Sequence, residues 1–274
     1  MVHPQIAAFA RLAGENTPPV RTLEGQKTLL SRTIHGFGYD AVHDEIVVTS
    51  PLSQAILTFR GGANGEEAPI RVIQGRKTGI WGPGYGGNDK VNVDGVHGEL
   101  YIRVGNSLLV FDRLANGDVA PKRVLNGVRG AAVAVDPVRD LLVINGGNAM
   151  AIYNRTASGD TKPIRVIQGP KSLVAGADTF ALYPSKGWIV SGCEEEREAP
   201  LSACVWSIDD NGDVPPRWRI PVKQLTGYQV SAVALDTVHK EFIMSANAHE
   251  VQSRQESRPS IMNTLITFSW PEIF

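Results

Sequence analysis

Five short segments of the chain combine residue types that bind polar ligands, and each lies between two strand-like phrases. Together they offer aromatic rings, both signs of charge, amides and a hydroxyl, a mixture suited to holding a polar small molecule or a peptide. The candidate ligand-binding residues are His35, Trp81, Tyr85, Asp89, Lys90, Asn92, Arg129, Asp178, Thr179, Tyr228 and Gln229. The alternative is that these side chains only satisfy backbone groups within their own loops.

Motifs for catalysis are absent from the sequence. It contains no G-x-S-x-G, H-E-x-x-H or C-x-x-C pattern. The glycine-rich run "GPGYGGNDK" at 82–90 precedes no helix pattern, whereas a phosphate loop needs the amides at a helix start. We therefore predict no catalytic residues and no cofactor. The alternative is a divalent cation, for which Asp89, Asn92 and Asp178 are the available oxygen ligands.

Three histidines share one repeated position, in the phrase D-x-V-H. They are His43, His97 and His239. Because the phrase joins two apolar strand-like segments, we interpret it as a turn in which the aspartate accepts hydrogen bonds from nearby backbone amides. Since the repeats separate these turns, we expect no common metal site.

The two cysteines, Cys193 and Cys204, flank a polar segment between two strand-like phrases. Antiparallel neighbours can meet the Cα separation of about 5.5 Å that a disulfide needs. The pair is therefore either a disulfide, which implies an oxidising compartment, or two reduced thiols at the base of a hairpin.

Repetition of two phrases indicates how these residues are positioned. The first phrase has a glycine followed four residues later by a proline, and its glycines are Gly65, Gly117, Gly159 and Gly212. The second aligns without gaps in "GYDAVHDEIVV" (38–48), "NVDGVHGELYI" (92–102), "AVDPVRDLLVI" (134–144) and "ALDTVHKEFIM" (234–244), and "ALYPSKGWIVS" (181–191) is a degenerate copy. β-branched and aromatic segments bounded by turn residues are typical of strands.

Each repeat therefore predicts four strands, which we label a, b, c and d. Four-stranded repeats of about 40–50 residues are typical of the blades of a β-propeller. We predict a single all-β propeller domain over 1–274, with five blades, or six if "QIAAF" (5–9) begins a partial blade. We expect an N-terminal outer strand to close it by pairing with the C-terminal blade, because an open propeller leaves sheet edges bare.

The phrase "ANGDVAPKRVLNG" followed by "AVAVDPVRDLLVI" resembles the NHL-repeat and gluconolactonase-like propellers. This resemblance covers nearly the whole chain and implies the fold. It also implies a range of activities, from lactone hydrolases and lyases to binding scaffolds. The lactonases bind a cation with Glu, Asn and Asp, but no matching glutamate stands at the blade starts. The lyases bind zinc with several histidines, but only His35 stands at such a position.

Charge and hydropathy exclude other classes. The formal net charge is −1 with no basic block, so neither nucleic acid nor an anionic membrane is an expected partner. No apolar run reaches the roughly 18 residues of a membrane span. The first residues lack the pattern of an export signal. We expect an extracytoplasmic protein if such a signal has been removed and a cytoplasmic one otherwise.

Three hypotheses for function follow. The first is a binding scaffold that presents the loops before the a strands to a small molecule, a peptide or a protein partner. The second is an enzyme, either a metal-dependent lactonase or a lyase, that acts in the central channel. The third is a subunit of an extracellular assembly.

Overall fold

The computed structural model describes residues 4–14, 16–32, 34, 36–82, 90–130, 132–175, 180–196, 199–247 and 263–274, with the backbone alone at 195–196, 199, 246–247 and 263–264. The chain divides into two compact units. Unit 1 contains Met1–Gly127 with Ser158–Asp160, and unit 2 contains Val128–Ala157 with Thr161–Phe274.

Unit 1 holds a two-stranded sheet and two four-stranded blades, all antiparallel. The two-stranded sheet is β1 (Gln5–Ala8) and β2 (Arg21–Glu24). Blade 1 is β3 (Phe37–Asp40), β4 (Glu45–Ser50), β5 (Ala55–Arg60) and β6 (Arg71–Gln74). Blade 2 is β7 (Val91–Asp94), β8 (Glu99–Val104), β9 (Ser107–Asp112) and β10 (Arg123–Asn126). Short 3-10 turns lie at Gln26–Thr28, Pro51–Ser53 and Arg76–Thr78.

Unit 2 holds three antiparallel blades. Blade 3 is β11 (Ala132–Asp136), β12 (Leu141–Gly146), β13 (Ala149–Asn154) and β14 (Arg165–Gln168). Blade 4 is β15 (Phe180–Tyr183), β16 (Trp188–Glu196), β17 (Ala199–Ser207) and β18 (Trp218–Ile220), followed by the helix α1 (Val222–Thr226). Blade 5 is β19 (Gln229–Asp236), β20 (Glu241–Asn247) and β21 (Asn263–Ser269), and a 3-10 turn follows at Pro271–Ile273.

The repeated glycine phrase forms a clasp that holds the d strand of the preceding repeat. The Gly117 N–H donates to the Val72 carbonyl at 2.7 Å, and the Val72 N–H donates to Asn116 Oδ1 at 2.9 Å. The Asp118 carboxylate then accepts from the Lys77 N–H at 2.7 Å. The same parallel bridge recurs at Gly65, Gly159 and Gly212. The sequence repeats because each d strand needs the same set of backbone partners.

The D-x-V-H phrase forms the turn between strands a and b, as predicted. Asp94 Oδ1 accepts from the N–H groups of Val96 and His97 at 3.0 and 3.1 Å, and Asp94 Oδ2 lies 2.7 Å from His97 Nδ1. The turns at Asp40 and Asp236 are built in the same way. Each of these histidines is therefore paired with the aspartate of its own turn.

The fold class is the predicted one, an all-β propeller with five blades. One detail of the prediction is wrong. The N-terminal outer strand β2 pairs with β1, from Gln5 opposite Glu24 to Ala8 opposite Arg21, and blade 5 contains three strands in the described residues. The segment β1 is apolar and close to β2 in sequence, so this local pairing costs little loop-closure entropy.

Candidate functional site

The hairpin of blade 4 is longer than its counterparts. Strands β16 and β17 have nine residues each, whereas β8 and β9 of blade 2 have six. A disulfide joins Cys193 to Cys204 across the two strands, with a Cα–Cα distance of 5.8 Å, and both residues are fully buried. The covalent link fixes this hairpin where it extends beyond the length of the other blades.

The loop after β14 is attached to this hairpin. Val174 forms an isolated antiparallel bridge with Cys193, and the Glu194 N–H donates to the Leu173 carbonyl at 3.0 Å. Leu173 and Glu194 both have left-handed backbone conformations, with φ of 56° and 58°. Residues other than glycine rarely adopt this backbone conformation. Those that do are enriched at binding sites.

A groove of about 500 Å³ lies between that loop and the hairpin. Its lining residues are Asn148, Gly169, Pro170, Leu173, Val174 and Glu194. They belong to the b–c turn of blade 3, to the loop after its d strand and to the hairpin of blade 4. All three lie at the end of the blades where the d strands finish, which is the end predicted to carry the ligand. We refer to this feature as the blade 4 groove.

Glu194 is the titratable residue among those lining residues. Its Oε2 accepts a hydrogen bond from Ser202 Oγ at 2.8 Å and forms an ion pair with Arg219 Nη2. Arg219 Nε donates to Ser202 Oγ at 3.2 Å, so these three side chains form a small network. Within the described part of the chain, Glu194 Oε1 accepts no hydrogen bond. The carboxylate thus retains capacity for a further donor.

Two buried amides lie at the corresponding ends of other blades of unit 2. Asn145 is fully buried, and its Nδ2 donates to Ser191 Oγ at 3.3 Å. Asn145 Oδ1 and Gln229 Oε1 are buried acceptors with no hydrogen bond in the described residues. A buried acceptor without a donor is costly, so these positions favour an additional donor such as water or a ligand.

The structure places six of the predicted ligand-binding residues. In unit 1, Trp81 is exposed beside Gly105, Lys90 is buried against Gly36, and Asn92 is half-buried in β7. In unit 2, Arg129 is exposed, Tyr228 packs on the hydrophobic core, and the adjacent Gln229 is 6% exposed at the start of β19. None of the six lines the blade 4 groove. The other five predicted residues, which are His35, Tyr85, Asp89, Asp178 and Thr179, lie outside the described residues.

The ligand-binding residues predicted from the sequence do not include Glu194, Ser202 or Arg219. The signal for Glu194 was present in the run "CEEER" at 193–197, which follows a cysteine directly. Ser202 and Arg219 are common residue types in unremarkable positions. Only the register of β16, β17 and β18 brings them to Glu194, since Cys193 lies opposite Ser202 and Cys204 lies opposite Arg219.

The described residues contain no group of three or more His, Cys, Asp or Glu side chains placed to hold a metal ion. None of their helices is long and apolar enough to cross a membrane.

Neither a family model nor a curated protein matches this chain. Solved structures do match it. Hydrazine synthase from Kuenenia stuttgartiensis superposes with a TM-score of 0.61 at 10% identity, covering 86% of this chain and 63% of that one.

A structure titled mitotic checkpoint complex gives a TM-score of 0.50 at 16% identity, covering 77% of this chain and 59% of that one. Hsv2 from Kluyveromyces lactis gives 0.50 at 10% identity, with coverages of 78% and 58%. This chain therefore spans less than two thirds of each similar structure. At these identities the likeness shows the β-propeller fold alone, and none of the three comparisons supports the NHL-repeat or gluconolactonase-like family in particular.

Proposed function

We propose that this protein is a binding scaffold whose blade 4 groove takes a basic, partly apolar segment of a protein partner. The observation that carries this proposal is Glu194, which is held in place by Ser202 and Arg219 and has one carboxylate oxygen that accepts no hydrogen bond from the described residues. A positioned carboxylate at the wall of a groove selects a cationic donor through a charge-assisted hydrogen bond.

The sequence that follows Glu194 directly supports a cationic partner. Residues 194–198 comprise four glutamates and one arginine, which gives a net formal charge of −3 for this segment. Such a concentration of one charge attracts an oppositely charged partner and raises its rate of association.

The apolar part of the groove lining favours apolar contact. Pro170, Leu173 and Val174 form it, and the disulfide and the Val174–Cys193 bridge fix its position. A preorganised wall loses less conformational entropy when a partner binds. The preferred segment would therefore place an arginine or lysine next to an apolar residue.

Selection from a random heptapeptide library displayed on phage tests this proposal. We expect enrichment of peptides in which Arg or Lys adjoins an apolar residue. For the enriched peptide, Glu194→Gln should weaken affinity by roughly 10- to 100-fold, as the loss of a hydrogen bond to a charged group predicts. The matched control is Glu67→Gln, which removes a carboxylate paired with Arg60 in unit 1 and should leave affinity unchanged. Enrichment of acidic peptides, or equal effects of the two variants, would overturn the proposal.

The enzyme hypothesis remains a prediction. Two of its three oxygen ligands, Asp89 and Asp178, lie outside the described residues, while Asn92 is half-buried in β7. Its measurement is the metal content of protein purified without chelator or immobilised metal, combined with thermal stability in the presence of Ca²⁺, Mg²⁺ or Zn²⁺. A stoichiometric ion together with stabilisation by that ion would favour the enzyme over the scaffold.

A further inference from the structure

The chain contains five Asn-Gly sequences, at Asn64, Asn116, Asn126, Asn145 and Asn211. This dipeptide supports a reaction that needs no enzyme. The glycine nitrogen loses its proton to hydroxide and attacks Cγ of the asparagine. Nδ2 then takes a proton from water, and the Cγ–Nδ2 bond breaks to release ammonia. Water then opens the resulting succinimide at either carbonyl, which yields aspartate or isoaspartate.

Three of the five sequences are protected by the clasp described above. The N–H groups of Gly65, Gly117 and Gly212 each donate to a d-strand carbonyl at 2.7 Å. The asparagine Oδ1 atoms of the same three pairs accept from d-strand N–H groups, at distances of 2.9 to 3.3 Å. Both reacting groups are therefore engaged, and the glycine nitrogen can attack only after the clasp opens.

Asn145 is protected differently. Its side chain is fully buried, and Gly146 pairs with Ala149 between β12 and β13. An added Cβ at Gly146 would lie 1.8 Å from the Gly130 Cα atom, so the backbone is closely packed there. Hydroxide and water reach this peptide bond only if the blade opens.

Asn126 lacks protection of the glycine nitrogen, and its Oδ1 accepts only a long hydrogen bond, from Ser107 Oγ at 3.4 Å. It is exposed at the end of β10, and in the described structure the Gly127 N–H donates no hydrogen bond. Gly127 has a φ of 69°, whereas Gly75 and Gly169 at the equivalent positions have 136° and 122°. The following residues differ as well, since "GRKT" and "GPKS" form turns at those two sites but "GVRG" stands here.

The Asn126 amide also takes part in the clasp at this junction. Its Nδ2 donates to Asp160 Oδ1 at 3.3 Å, and its backbone N–H donates to the Gly159 carbonyl at 2.7 Å. Conversion to aspartate replaces the donor with a second carboxylate facing Asp160. Conversion to isoaspartate inserts a carbon into the main chain at the end of β10. Either product weakens the contacts of Gly159 with β10.

We propose that Asn126–Gly127 is a site of spontaneous deamidation, and that its conversion loosens the clasp between Gly159 and the d strand of blade 2. The equivalent positions in the sequence are Gln74 and Gln168, whose longer side chains would have to close a six-membered ring, which forms much more slowly than the five-membered ring of asparagine. This junction therefore combines the reactive residue with an exposed glycine nitrogen.

Peptide mapping by mass spectrometry tests the site. The folded protein is incubated at pH 8.5 in H₂¹⁸O and digested at intervals. We expect Asn126 to gain label about tenfold faster than Asn64, Asn116 and Asn211, because each clasped glycine must first lose a hydrogen bond. Labelling of the four sites at similar rates, or slower labelling at Asn126, would overturn the proposal.

Hydrogen exchange tests the consequence. Asn126→Asp mimics one product, and we expect faster exchange of the Gly159 amide with no change at Gly117 or Gly212. Asn126→Gln is the matched control, since it keeps the amide found at the equivalent positions. The exchange rate of the Gly159 amide in this variant should be closer to the rate in the parent protein than the rate in Asn126→Asp is. An unchanged Gly159 amide in Asn126→Asp would refute the effect on the clasp.

Discussion

Blades 2 and 4 differ in the pair of side chains that joins strand b to strand d: blade 2 uses an ion pair and blade 4 uses two aromatic rings. At equivalent positions of strands b and d, blade 2 has Glu99 and Arg123, whose carboxylate and guanidinium meet at 2.6 and 2.7 Å. Blade 4 has Trp188 and Trp218 there, with ring centroids 5.0 Å apart in an edge-on arrangement. The ion pair and the tryptophan pair both link the outer strand of the blade to its second strand.

The two solutions differ in what they require of their surroundings. Glu99 is 2% exposed. Burial alone would raise the pKa of Glu99, but hydrogen bonds from Arg123, Tyr101 and Lys122 outweigh it and hold that pKa well below its ordinary value. The tryptophan pair requires only apolar contact between its rings. The Arg217 guanidinium lies 5.8 Å from the Trp188 ring centroid. The backbone clasp is the invariant part of the repeat, and this side-chain pair can vary.

Removing Arg123 should have the largest effect. We expect Arg123→Ala to lower the free energy of unfolding by about 3–5 kcal/mol, because Glu99 is left buried without its main partner. Urea unfolding followed by circular dichroism measures this loss. Arg165→Ala is the control, since Arg165 occupies the same position in blade 3, where Leu141 stands at the position of Glu99, and pairs with the exposed Asp209. Equal losses in the two variants would contradict the assigned role of the buried carboxylate.

The disulfide distinguishes the hairpin of blade 4 from that of blade 2. Replacing both Cys193 and Cys204 by alanine should cost about 3 kcal/mol, from the entropy of the loop that the bridge closes in the unfolded chain. Calorimetry should show a lower Tm. The same variant should also bind the selected peptides more weakly, because the groove wall is no longer fixed. An unchanged Tm would mean that packing alone holds the hairpin.

Exchanging the pair tests whether the two chemistries are interchangeable. Trp188→Glu alone should be strongly destabilising because it places an unpaired carboxylate in an apolar setting. Adding Trp218→Arg should recover part of the loss, with a coupling energy of about 1–3 kcal/mol in a double-mutant cycle. Strictly additive effects would show that blade 4 cannot accept the arrangement of blade 2.

Lowering the pH should reduce the stabilisation from the ion pair of blade 2 more than the stabilisation from the tryptophan pair of blade 4. Because the folded-state pKa of Glu99 is lowered, its contribution to stability is complete above the unfolded-state pKa of about 4.3 and is lost as the pH falls further. Urea unfolding between pH 7 and pH 3 should therefore show a shallower decline for Glu99→Gln than for the parent. Parallel declines would rule out Glu99 as a source of acid sensitivity.

The clasps of different blades should contribute equally to stability, whereas the side-chain pairs of strands b and d should not. Asn116→Ala and Asn211→Ala each remove one hydrogen bond of 2.9 Å to a d-strand N–H. We expect each to cost about 1 kcal/mol, the smallest effect in this series. Chemical denaturation of the two variants side by side checks the equality. A twofold difference would show that the repeats are not equivalent even in their backbone partners.

Much of the fold was predictable because it depends on local, repeated signals. The strands follow from short apolar segments between turn residues, and the D-x-V-H turn follows from the way aspartate bonds to backbone amides. The role of β2 was not predictable in the same way, because either β1 or a distant strand offers it suitable backbone groups. None of the six described ligand-binding candidates lines the blade 4 groove, since composition identifies polar loops but does not show which of them face a cavity.

The sequence by itself determined the repeat, the blades and the chemistry of their turns, because each depends on residues close together in the chain. Only the tertiary structure decided which partners the distant side chains have. Glu194 meets Arg219 through the register of three strands, and in the described residues the Gly127 N–H lacks the hydrogen bond that Gly65, Gly117 and Gly212 make in the other Asn-Gly sequences. These contacts join residues far apart in sequence or depend on local geometry that the residue types alone leave open, so packing had to select them.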